Sequence, residues 1–110
     1  MTRLEHLLTI LVEECGETGQ RATKALRFGI KEVQKGQDLD NSQRLTYEFN
    51  DIVAMMEMLQ EEGHLDVVID REAIDKKKEK VEKYLLLSQK QGTLDNLAQF
   101  PLTPDECIKQ

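Results

Sequence analysis

Apolar residues return at the spacing of an α-helix in three separate stretches of this 110-residue chain, and that periodicity restricts it to a helical architecture. The first stretch, over residues 4–28, sets Leu4, Leu7, Leu8, Leu11, Cys15, Thr18, Ala22, Ala25 and Leu26 along one broad stripe. Thr2 stands where an N-cap belongs, Glu5 completes a capping box, and Gly29 follows as a stop. The second stretch starts from a cap at Asp40 or Asn41, with Gln43 three residues after Asp40. It carries Leu45, Phe49, Ile52, Val53, Met56 and Leu59 before Gly63. Residues 52–59 are apolar around most of the helix circumference, which requires cover on several sides. The third runs over residues 71–91, from a cap at Asp70 to a stop at Gly92.

Between these helices, residues 30–40 read as a polar connector broken by Gly36 and Asp38. Residues 64–69 read as a short extended link, with Val67, Val68 and Ile69 as a weak strand candidate. Residues 1–92 are expected to form one helical domain, and residues 93–110, with Pro101 and Pro104, an irregular tail. The predicted fold class is therefore all-α: a helical bundle whose core is completed by oligomerisation, because Val53, Met55, Met56 and Met58 exceed what a three-helix monomer can cover.

Charge and composition narrow the function. With 21 acids against 15 bases the net charge is −6, which repels a nucleic-acid backbone. No apolar run approaches the roughly 20 residues of a membrane span. Met1 and Thr2 lead directly into amphipathic helix without a signal-peptide core, so a cytoplasmic protein is expected. Cys15 and Cys107 lie far apart and read as reduced thiols, Cys15 buried in its helix and Cys107 in the tail.

Chemistry is concentrated in two acidic motifs, Glu13-Glu14-Cys15-Gly16-Glu17 on the first helix and Glu48-Phe49-Asn50-Asp51 on the second. Residues three apart lie on neighbouring turns of one face, so Glu14 converges with Glu17, and Glu48 with Asp51. At ~100° per residue, Glu14 and Glu48 fall beside the apolar stripes, Glu17 and Asp51 sit further round, and Glu13 points nearly opposite the core. Carboxylates gathered at an apolar seam repel one another unless a cation neutralises them, and hard oxygen ligands suit Mg²⁺ or Mn²⁺. Each motif alone is commonplace on a Glu-rich surface; the pair, both flanking the core, is less so.

Other readings of these residues fail on spacing. A ferritin-like di-iron bundle needs two Glu-x-x-His pairs on separate helices, and the two histidines, His6 and His64, both expected in solvent, cannot supply them: Arg3 stands three residues before His6, and Glu61-x-x-His64 runs through the Gly63 stop. An EF-hand starting at Asp38 meets Gln43 at its turn glycine and Phe49 at its bidentate glutamate. No phosphate-binding loop, zinc motif or nucleophilic triad is visible.

The double motif resembles that of the MazG-like all-α nucleoside triphosphate pyrophosphohydrolases, Glu-Glu-x-x-Glu followed by Glu-x-x-Asp. The likeness covers residues 1–91, and Ala25-Leu26-Arg27-Phe28-Gly29 is similar to the small phage-type members. It implies a magnesium site formed by Glu14, Glu17, Glu48 and Asp51, with Glu13 or Glu17 as general base. It also implies a homodimer or homotetramer that cleaves a nucleoside triphosphate to monophosphate and pyrophosphate in nucleotide-pool clean-up, through water attack at the α-phosphorus. An acidic protein that meets a triphosphate needs cations near the metal, and the candidates are Lys24, Arg27, Lys77 and Lys78. Each has an ordinary alternative as a solvated or snorkelling side chain. Tyr84 is expected to fill the core rather than stack on a base. The competing function is a helical oligomeric metal-binding or interaction protein without significant turnover.

Overall fold

A computed structural model describes residues 1–95; Cys107 and all of the predicted tail beyond residue 95 lie outside the described residues. Three helices form, α1 (Arg3–Phe28), α2 (Asn41–Glu61) and α3 (Arg71–Lys90). Their beginnings are fixed by the predicted caps. Thr2 and Glu5 form a reciprocal capping box, Asp40 and Gln43 form another, and the Asp70 side chain accepts from the Ala73 N–H. Gly29 ends α1 with φ at 106°, where a side chain would be strained, and its N–H donates to the Ala25 carbonyl.

The chain divides into two compact units, Met1–Val68 and Ile69–Gln110. In the first, α1 packs on α2 as a hairpin. Its core consists of Leu7, Met55 and Leu59, with Leu4, Ile10, Leu11, Met58 and Leu65 half-buried against them. Leu59 is fully enclosed at 0% exposure, worth about 1.5–3 kcal/mol relative to an exposed leucine. This apolar end joins the start of α1 to the end of α2. At the opposite end the inward positions of α1 become polar, with Glu14, Thr18 and Arg21 following Leu7 and Leu11 on the same face, and α2 contributes Asn41 and Glu48.

The connector is closed at its base. The Asn41 N–H donates to the Glu32 carbonyl (3.0 Å), the Ser42 N–H donates to Ile30 (2.9 Å), and Val33 and Asp40 form an antiparallel bridge. Asn41 is 1% exposed, and its Nδ2 donates to the Gly29 carbonyl at 2.8 Å and to Glu32 Oε1 at 3.2 Å. A buried amide that bonds the end of one helix from the first residue of the next fixes how the two meet.

Several expectations need correction. Cys15 is exposed, as are Leu8, Ala22 and Leu26, so only part of the predicted α1 stripe is covered. These residues lie ~60–100° round the helix from Leu7, beyond the reach of one packed neighbour. Residues 67–69 form no strand, and the Val33–Asp40 bridge is the sole β-type pairing among the described residues. Met55 is enclosed by the hairpin itself, while Val53, Met56 and Met58 are half-buried. His6 and His64 are exposed, as expected.

The second unit contains α3, which has no buried residue. Ile74 and Leu85 are half-buried on it and Val81 is exposed. Tyr84 is exposed rather than in a core, and the Lys80 ammonium stands 5.9 Å from its ring centroid. Ion pairs at i,i+4 link Arg71 to Asp75 and Glu72 to Lys76. No helix among the described residues is long and apolar enough to cross a membrane.

Candidate metal centre

The polar half of the hairpin brings the two acidic motifs together. One ligand atom each from Glu14, Glu17 and Glu48 lies within 4.8 Å of the others. Glu14 and Glu48 are half-buried and Glu17 is exposed, so the cluster opens to solvent on the Glu17 side. Glu14 occupies the inward face of α1, within ~20° of Leu7, and Glu48 stands two turns before Met55 on α2. The Thr18 hydroxyl donates to the Glu14 backbone carbonyl (2.9 Å), leaving the Glu14 carboxylate to the cluster.

The electrostatics are those of a site short of positive charge. Glu14 Oε2 is buried with no hydrogen-bond partner. Burial raises the Glu14 pKa above the ordinary carboxylate value, and the charges of Glu17 and Asp51, a hydrogen bond with Glu17 and the charge of Glu48 raise it further. Asp51, exposed on α2, thus acts on Glu14 from the rim of the cluster. A divalent cation would supply the partner that Glu14 Oε2 lacks and reverse the repulsion. An all-oxygen donor set with an open side fits Mg²⁺ or Mn²⁺, which keep waters while bound to a few carboxylates.

The remaining predicted residues are distributed differently. Glu13 is exposed and outside the group of three. Lys24 is half-buried on α1, about two turns beyond Glu17. Arg27 is exposed, its guanidinium 4.8 Å from the Phe28 ring centroid. Lys77 and Lys78 are exposed on α3 in the second unit.

One residue escaped the sequence reading. Arg21 is 8% exposed, and neither its Nε nor its Nη1 has a hydrogen-bond partner. Its position seven residues after Glu14, two turns along the same face, was the available signal. A shallow hollow lined by Leu39, Gln43, Thr46, Tyr47 and Asn50 lies on a different flank of α2, with Tyr47 and Asn50 roughly 100–160° round the helix from Glu48.

No family model matches this chain, and no curated protein or solved structure matches it either. Fold and site together describe an all-helical chain with a three-carboxylate cluster between two helices that could hold a metal ion.

Proposed function

We propose that the chain is a magnesium-dependent nucleoside triphosphate pyrophosphohydrolase of the MazG-like type, with Glu14, Glu17 and Glu48 as metal ligands and Asp51 completing the set from the rim. One observation carries the reading: carboxylate oxygens of Glu14, Glu17 and Glu48, from two helices, converge within 4.8 Å of one another, in a cluster where Glu14 Oε2 is buried without a partner. Carboxylates this close disfavour one another's charged forms, and a cation among them would favour those forms.

When bound, Mg²⁺ supplies Lewis acidity and neutralises the phosphate chain. Glu14 and Glu48, anchored on packed helix faces, fix its place. Glu17, at the open side, holds the water that attacks the α-phosphorus and accepts its proton; Glu13 is the alternative base one turn earlier. Pyrophosphate leaves and a nucleoside monophosphate remains. Lys24, Arg27, Lys77 and Lys78 are the cations proposed to meet the phosphates, and Mn²⁺ is the alternative metal.

The same reading includes a homodimer or homotetramer, located in the cytoplasm. Leu8, Val12, Cys15, Ala22 and Leu26 form an exposed apolar flank on α1, with Val12 at 70% and Leu26 at 85% exposure. That flank also supports the competing reading, an oligomeric interaction protein without turnover. Incubation of the purified chain with a panel of nucleoside triphosphates and Mg²⁺, with product identification, separates the two. Monophosphate and pyrophosphate in equal amounts support the enzyme; no release from any nucleotide supports the interaction protein.

A further inference from the structure

Arg21 is the most anomalous side chain in the first unit. The other arginines are engaged: Arg3 with Glu62, Arg44 with Gln34, Arg71 with Asp75, and Arg27 over the Phe28 ring. Arg21 is more deeply buried than any of them, yet it makes no hydrogen bond or ion pair. Glu17 lies four residues before it on α1, the spacing at which helical ion pairs form, and that pair is not made. A buried guanidinium without a partner is costly and calls for an explanation in terms of a missing ligand.

Its place supplies one. Side chains on an α-helix lean towards the turn N-terminal to their own Cα, so Arg21 is directed back towards the turns that carry Glu17 and Glu14. Glu14 Oε2, two turns away on the same face, is itself buried and unpartnered. The two Cα positions are separated by ~10.5 Å along the axis. An unsatisfied anion and an unsatisfied cation that do not reach each other fit a ligand that is positive at one end and negative at the other. A metal–phosphate group has that polarity, and the planar fork of arginine binds phosphate oxygens in pairs.

We propose that Arg21 is the anion-binding half of this site, its guanidinium donating to a phosphate of the ligand whose metal end rests on Glu14, Glu17 and Glu48. The inference rests on the metal–phosphate reading above and adds to it a specific residue inside the hairpin rather than on its surface.

Binding of inorganic pyrophosphate in the presence of Mg²⁺, measured by calorimetry on the full chain, tests it, alongside melting curves with Mg²⁺ alone. Arg21→Met is expected to melt no lower than the parent without ligands, because it removes an unpaired buried charge and keeps the stem. It should retain the stabilisation by Mg²⁺ and lose pyrophosphate affinity tenfold or more, with Arg21→Lys in between. If the parent binds Mg²⁺-pyrophosphate and Arg21→Met binds it equally well, the role of Arg21 is refuted and the hydrolase reading stands. If the parent binds Mg²⁺ but no pyrophosphate, both fall. A ligand-free Arg21→Met that melts well below the parent and no longer responds to Mg²⁺ would make Arg21 a structural residue and overturn the proposal.

Discussion

Arg3 and Glu62 hold each other by two bonds, Nε to Oε1 at 2.7 Å and Nη2 to Oε2 at 3.0 Å, joining the first turn of α1 to the residue that caps α2. The pair lowers the Glu62 pKa through its hydrogen bond with Arg3 and raises that of Arg3. Because the folded Glu62 value is depressed, its contribution is present above the ordinary carboxylate pKa and is lost as pH falls through the folded value. The pair is largely solvated, so Arg3→Ala should lower Tm by less than about 4 °C at neutral pH. The difference from the parent should shrink on acidification and in high salt; a difference unchanged by both would show that lost packing, not charge, is being measured.

If Mg²⁺ binds the folded cluster as proposed, it should raise Tm, because the unfolded chain has no comparable site. At about 100 times its Kd the gain is about 2.7 kcal/mol. Glu14→Gln and Asp51→Asn should abolish turnover with the helices intact by circular dichroism. Full activity in Glu48→Gln would remove that residue from the ligand set.

The pH response of the metal-free protein has the opposite sign at Glu14. Its folded pKa lies above the ordinary value, so its stabilising contribution is complete below the unfolded value of about 4.3 and is lost as pH rises through the folded one. In chelator, the Tm of the parent relative to Glu14→Gln should therefore fall across that window, and added Mg²⁺ should reverse the trend. A constant difference from the lowest pH to neutrality would mean that Glu14 is not repelled by its neighbours.

The exposed flank of α1 predicts self-association. Leu26→Lys or Val12→Lys should reduce the mass measured by light scattering at micromolar protein without lowering helix content. A parent that is already monomeric and well folded at that concentration would refute the oligomer.

Among the cations outside the hairpin interior, at least one of Lys24→Met, Arg27→Met, Lys77→Met and Lys78→Met should weaken nucleotide binding or turnover tenfold, equivalent to about 1.4 kcal/mol, with little change in Tm. Parental kinetics in all four would exclude these residues as phosphate contacts.

How much of this was legible in the residues follows from what a local pattern encodes. Helix limits were readable because caps are local: Thr2 with Glu5, Asp40 with Gln43, and Asp70 act within one turn. Convergence of Glu14, Glu17 and Glu48 was readable because i,i+3 spacing and the flank of an apolar stripe set direction. Exposure at Cys15, Ala22 and Leu26 was not, since periodicity shows which face is apolar but not how much of it a neighbour covers. Arg21 was missed because arginine at an inward position reads as a snorkelling surface residue until its lack of partners is seen.

The clamp at the foot of the connector has a consequence for insertions. Bonds from Asn41 and Ser42 to Glu32 and Ile30, with the Val33–Asp40 bridge, seal off residues 34–39 before the chain turns back into α2. That hexapeptide is a loop closed at its base and tied to α2 by the Arg44 bond to Gln34 and by Leu39 beside Gln43, and loop-closure entropy grows by only ~0.6 kcal/mol for each doubling of length. Residues inserted at Gly36 would lengthen the loop while the clamp holds the spacing between Glu14 and Glu48 in space, so the distance between the two motifs along the chain is a poor guide to whether a sequence carries this site.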